Sequence, residues 1–210
     1  MMSFLSRPVL GAIASAALLA PAAGFAAELE IDSSHSGASF TVKHMMISNV
    51  RGEFNKVSGT FNYNEKDPTK STVAATIDAS SIDTREPKRD EHLKSPDFFD
   101  VAKHPKITFK SKKVAKAGEG KLKITGDLTM RGVTKEVVLD LEGPTKPVKD
   151  PWGNLKIGAT ATTTLNRKDF GLNWNQALEA GGVLVGEDVK VELDLEFLQK
   201  AAVAPAGAKK

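Results

Sequence analysis

The chain has 210 residues, with 29 Lys and Arg against 26 Asp and Glu for a net charge of +3 with histidine neutral, and no cysteine. Interleaved charges of both signs argue against a nucleic-acid partner, and the missing cysteine excludes disulfides, a thiolate metal ligand, a cysteine nucleophile and a lipid-modified N-terminal cysteine. Past the N-terminal segment no apolar run reaches transmembrane length, so no stable membrane insertion is expected.

Residues 1–26 carry one basic residue, Arg7, then an apolar run over 9–20 and the small-residue pattern Gly24-Phe25-Ala26. That order is the layout of a cleaved signal peptide, and it predicts export to the periplasm. Residues 27–200 read as one domain, because neither an internal repeat nor a shift in composition divides them. The last stretch, 201–210, is small-residue, Pro and Gly rich and is expected to be a flexible tail.

Within the domain the first element is "ASFTVKHMM" (38–46), which sets Phe40, Val42, His44 and Met46 against Ser39, Thr41 and Lys43. Period-two alternation of this kind marks a half-buried strand. Strands are also predicted over 50–63, with a bulge or bend at Gly59 where the apolar phase changes, and over 72–82. Next comes the one polar interruption. Asp83 or Thr84 is placed to cap a helix through "REPKRDEHLKS", and Ser95 to cap a second one at "SPDFFDV". On the first helix Arg85, Arg89 and His92 share a face, with Asp90 beside it. Strands resume at 107–114, at "KLKITGDLTM" (121–130), at 133–142 and 155–165, and at "VKVELDLEF" (189–197). Glycine-bearing connections such as "KAGEGK" and "MRGV" suit antiparallel hairpins. The pattern predicts an all-β barrel or sandwich with a short helical insertion.

Five segments taken together resemble the YceI-like family of bacterial periplasmic proteins. They are "DSSHSGASFTVKHMMISNVRGEF", "DASSIDTREPKRDEHLKSPDFFDVAKHPKITFKS", "GDLTMRGVTKEVVLDLE", "LNRKDFGLNWN" and "VGEDVKVELDLEF". The resemblance implies a lipocalin-like eight-stranded antiparallel β-barrel whose interior holds a long-chain isoprenoid or similar amphiphilic lipid, such as a quinone tail or a polyprenyl diphosphate. It implies no catalytic machinery and no cofactor. An eight-stranded barrel either fills with side chains or encloses one small ligand, and the small Ala159 and Ala161 among bulky neighbours fit both outcomes.

On that reading the apolar lining would include Phe40, Val42, Met46, Phe54, Phe61, Phe98, Phe99, Phe109, Phe170 and Trp174. A polar rim would draw on His35, His44, Arg85, Arg89, Asp90, His92, Arg131, Arg167 and Asn175. Guanidinium groups bind phosphate bidentately, so the arginines are candidates for a head group if they face the mouth, and solvated or ion-paired if they face out. His35 resembles the family's Asp-x-x-His-Ser motif or caps a turn beside Asp32, and His44 is either a core histidine or a pocket contact. Neither His-x-His nor His-Glu-x-x-His spacing occurs, so no metal site is signalled. Two other classes of function stay open: an enzyme acting on a lipid head group through His35, Asp90 and His92, and an interaction module using the barrel rim. The apolar corner Met45-Met46-Ile47 would suit a homodimer.

Overall fold

A computed structural model describes residues 26–179 and 181–199. The expected tail, and the expected leader apart from Ala26, lie outside the described residues. Twelve strands appear in chain order: β1 Ala26–Ile31, β2 Gly37–His44, β3 Ser48–Phe54, β4 Val57–Asn64, β5 Thr72–Asp78, β6 Ile82–Asp83, β7 Lys106–Gly118, β8 Lys121–Met130, β9 Val133–Glu142, β10 Val148–Lys149, β11 Leu155–Asn166 and β12 Val185–Gln199. One α-helix, α1 Pro87–Lys94, lies between β6 and β7.

Twelve strands make eight staves because four of the staves are broken: β1/β2, β3/β4, β5 with the two-residue β6, and β9 with the two-residue β10. β1 and β2 lie end to end along one edge of β12, through Ile31↔Phe197 and then Asp194↔Gly37. β3 and β4 follow the same course one position further round, β3 against β2 and β4 against β1. The ring continues β4–β5–β7–β8–β9–β11, and β11 closes it against the other edge of β12 from Leu155↔Gln199 to Asn166↔Asp188. Every pairing is antiparallel, so this is an eight-staved antiparallel closed barrel. Closure removes the unpaired edges an open sheet would present.

Alternation decides which side chains face inward. Along β12 the inward set is Val189, Val191, Leu193, Leu195 and Phe197, and along β8 it is Leu122, Ile124, Leu128 and Met130. Where the phase slips, the backbone shows why. In β7 the inward set passes from Ile107 and Phe109 to Val114, and the register with β8 shifts between Ser111 and Lys113. In the β3/β4 stave the slip falls at Asn55 and Lys56, between buried Phe54 and buried Val57.

Four local expectations are corrected. Gly59 marks no bulge: β4 pairs with β5 in unbroken register from Val57↔Ile77 to Asn62↔Thr72. Glycine is needed there because a Cβ would stand 2.2 Å from the Ala74 carbonyl oxygen. The strand predicted through Met46 ends at His44, where Met45 and Met46 turn the chain with φ of 51° and 62°. The first helix begins two residues late, at Pro87, with the Glu86 carboxylate accepting from the Lys88 N–H at 3.0 Å. The second predicted helix is a set of turns, in which the Ser95 carbonyl accepts from the N–H groups of Phe98 and Asp100.

Candidate functional site: an apolar cavity under a stapled lid

The inward faces do not fill the barrel. They enclose a cavity of about 210 Å³. An apolar void of about 150 Å³ is already enough to stay dry and take up an aromatic molecule, so this one is large enough to admit hydrocarbon. Its walls come from β2, β3, β4, β5, β7, β8, β9, β11 and β12, and virtually no polar surface faces it. Ala159 and Ala161 lie on β11 between bulky neighbours, opposite Leu195 and Leu193 of β12. Their short side chains leave the space that a larger pair would occupy.

One end is covered by the segment between β6 and β7, and the sequence places this lid through its apolar residues. Leu93 from α1 and Phe98 and Phe99 from the following turns reach the cavity. Phe99 meets Phe54 edge-on at 5.5 Å between ring centroids, and Phe54 in turn meets Phe40 at 5.8 Å. Behind Phe98 stand His92 and Trp174, with centroids 4.8 to 5.3 Å apart among the three. Edge-to-face aromatic contacts of this kind contribute about 0.5–1.5 kcal/mol each beyond burial.

Of the residues read as lining, Phe40, Val42, Phe54, Phe61, Phe98, Phe99 and Phe109 reach the cavity. Three do not. Met46 sits 58% exposed on the β2–β3 turn, because the strand it was assigned to ends two residues earlier. Phe170 is buried in the short 3-10 turn Arg167–Phe170 that follows β11, and Trp174 backs the lid from outside the wall. Conversely, Val73, Ala75 and Ile77 of β5 and Val137, Leu139 and Leu141 of β9 line the cavity without having been singled out. Their period-two spacing was the available signal.

Five of the residues read as rim, Arg89, Asp90, Arg131, Arg167 and Asn175, are engaged in holding the chain together. Arg89 donates from Nε to Thr84 Oγ1 at 2.8 Å and from Nη2 to the Thr84 carbonyl at 2.7 Å. Asp90 accepts the Thr84 N–H at 2.9 Å and its hydroxyl at 2.5 Å. Arg131, in the β8–β9 turn, donates to the Pro96 carbonyl at 2.6 Å and to the Gly171 carbonyl. It thereby staples the lid to the turn after β11. Arg167 is 4% exposed and donates to the carbonyls of Gly186 at 2.8 Å, Val185 at 3.3 Å and Leu172. Burial lowers its pKa from the ordinary guanidinium value, against the opposing pull of Glu187. Asn175 holds both the N–H and the carbonyl of Val185, at 3.0 and 2.7 Å.

Arg85 does not share the helix face, because it precedes α1 in an exposed turn with φ 62°. His44 is half-buried at the end of β2, away from the cavity wall. His92 pairs with Asp97 at 2.9 Å.

His35 belongs to another cluster, at the corner between β1 and β2. Its Nδ1 lies 3.0 Å from Asp32 and 3.7 Å from Glu196, and Lys156 reaches both carboxylates at 3.3 and 2.5 Å. Hydrogen bonds from Ser34 and His35 hold the Asp32 carboxyl well below the usual carboxylate range. The three acceptor residues are close enough to hold a cation, but the Lys156 ammonium already bridges the two carboxylates. His35, Asp90 and His92 therefore keep separate partners, and no hydrogen bond joins any two of them among the described residues.

A closed antiparallel barrel with an apolar interior and a helical lid is a lipocalin-like architecture. The YceI-like domain model matches residues 29–197, and the chain belongs to that family. It is 42% identical to the UPF0312 protein SAS2572 of Staphylococcus aureus (strain MSSA476) over 168 residues, covering 79% of this chain and 94% of that one. Among solved structures, the YCEI protein of Campylobacter jejuni superposes with a TM-score of 0.62 at 31% identity, over 76% of this chain and 90% of that one. BcnA of Burkholderia cenocepacia shares the fold with a TM-score of 0.68 at 22% identity, over 79% and 98%. So does a polyisoprenoid binding domain from Saccharophagus degradans, with a TM-score of 0.58 at 14% identity, over 84% and 100%.

Proposed function

We propose that the protein is an exported, non-catalytic carrier that shelters the chain of an isoprenoid or similar long-chain amphiphile inside the barrel. The observation that carries this reading is the cavity itself, apolar on every wall and bounded at one end by a lid whose inward residues are Leu93, Phe98 and Phe99. The Saccharophagus domain of like fold, named for polyisoprenoid binding, agrees with it. Export rests on the leader-like composition of residues 1–26.

The energetics suit a chain-shaped ligand. Burying hydrocarbon contributes roughly 0.8 kcal/mol per CH₂, so a five-carbon isoprene unit contributes about 3–4 kcal/mol before immobilisation costs. Trp174 provides the readout, since it touches Phe98 and Phe98 lines the cavity. Titrating delipidated protein with geranylgeraniol should change tryptophan emission saturably through Trp174, over a constant contribution from exposed Trp152. Ala161→Phe, which fills the space beside Leu193, should abolish the change while leaving the fold intact by circular dichroism. An unaltered emission in the unsubstituted protein, with no bound lipid by equilibrium dialysis, would remove the carrier reading.

A further inference from the structure

Resting on the carrier reading, we infer that this site selects the hydrocarbon chain and is blind to the head group: the polar end of the ligand stays in solvent, and its charge does not set affinity. Two independent observations lead there. The first is the wall. An alcohol or phosphate drawn into the cavity would lose its water and find no donor in exchange, and an unpaired polar group costs several kcal/mol in such surroundings, an ionised one far more.

Besides Thr72, Thr108 and Thr163, the polar residues at the wall are Ser71, Ser39 and Arg167, and these three turn polar atoms onto the chain. Ser71 Oγ accepts from the Asn64 N–H at 3.0 Å, and Ser39 Oγ donates to the Glu192 carbonyl at 3.3 Å. Arg167 contributes to the wall, yet its guanidinium is directed at the carbonyls of Leu172, Val185 and Gly186.

The second observation is what the lid's cations do. Arg89 is turned onto Thr84, and Arg131 onto Pro96 and Gly171. Each would have to release backbone carbonyls before gripping a phosphate, so head-group binding would compete with the contacts that hold the lid in place. Arg85 is the one arginine of the set in an exposed turn, and it lies outside the wall. A hydrocarbon socket of this construction reads length and shape, and it accepts alcohol, monophosphate and diphosphate alike.

The test is a matched series on the full mature protein. Geranylgeraniol, geranylgeranyl monophosphate and geranylgeranyl diphosphate present one chain with three heads, and farnesol and farnesyl diphosphate repeat the alcohol and diphosphate ends one isoprene unit shorter. Dissociation constants within one chain length should agree within about threefold, whereas removing the unit should weaken binding about tenfold or more for either head. Arg85→Ala should leave the diphosphate constant within the same threefold.

A tenfold preference for diphosphate over alcohol at equal length would overturn the inference while leaving the carrier reading standing. So would a loss confined to the diphosphate in Arg85→Ala. If neither chain binds with any head, the carrier reading fails and this inference falls with it.

Discussion

Arg167 shows how a buried charge can be structural. Its guanidinium forms a fork over three carbonyls belonging to two segments, Leu172 in the turn after β11 and Val185 and Gly186 at the start of β12. Replacing it by Met keeps the apolar stem against the cavity but leaves those carbonyls unpaired. Because each buried unsatisfied group costs about 1–3 kcal/mol, Arg167→Met should lose about 3 kcal/mol in urea denaturation. Arg167→Lys should recover less than half of that, since an ammonium cannot span the fork. A loss below about 1 kcal/mol in Arg167→Met would show that the carbonyls find water instead. This is also where the sequence was least legible. The partners of Arg89, Arg131 and Arg167 include main-chain carbonyls, which no residue type advertises, so arginines near a predicted mouth looked like phosphate ligands. Phe54, Phe98 and Phe99 were readable because burial follows directly from their side chains.

Among the elements, the strands with clean alternation were legible from end to end, and the places where alternation fails were not. β8, β9 and β11 lie where the period-two pattern put them, within a residue, whereas β12 begins four residues before the predicted 189, at Val185, and ends two beyond 197, at Gln199. The β2–β3 turn escaped notice because "HMMIS" holds none of the Asn-Gly or Asp-Gly pairs that favour positive φ. The chain reverses there regardless, with Ile47 N–H donating to the His44 carbonyl at 3.1 Å and both central methionines at positive φ. Non-glycine residues held in that region cost on the order of 1 kcal/mol each. The double substitution Met45→Asn, Met46→Gly should therefore raise stability by about 1–2 kcal/mol, read as a higher urea midpoint with an unchanged slope. A lower midpoint would mean that the exposed methionines contribute contacts outweighing their backbone strain. The lid divides in the same way. α1 was visible from Pro87 and its polar run, whereas residues 95–105 form turns fixed by main-chain bonds such as Asp100 carbonyl to His104 N–H at 2.8 Å.

For the molecule as a whole, the all-β class and the helical insertion followed from local pattern, but closure and hollowness did not. Closure depends on β12 serving β11 along one edge and β1 and then β2 along the other, a pairing between the two ends of the chain that local alternation does not encode. Hollowness depends on volume summed over eight staves, in which Ala159, Ala161 and Ala75 have to coincide across the interior rather than be offset by larger partners. On the carrier reading, the space so formed holds a lipid. The most direct test of that reading is native mass spectrometry of the protein purified without detergent from the cells that make it, followed by solvent extraction of the same sample. One bound species per chain is expected, released on collisional activation, with a mass and fragmentation that belong to an isoprenoid or comparable long-chain amphiphile. A spectrum showing only the bare polypeptide, from protein that also fails to take up geranylgeraniol, would contradict the carrier reading.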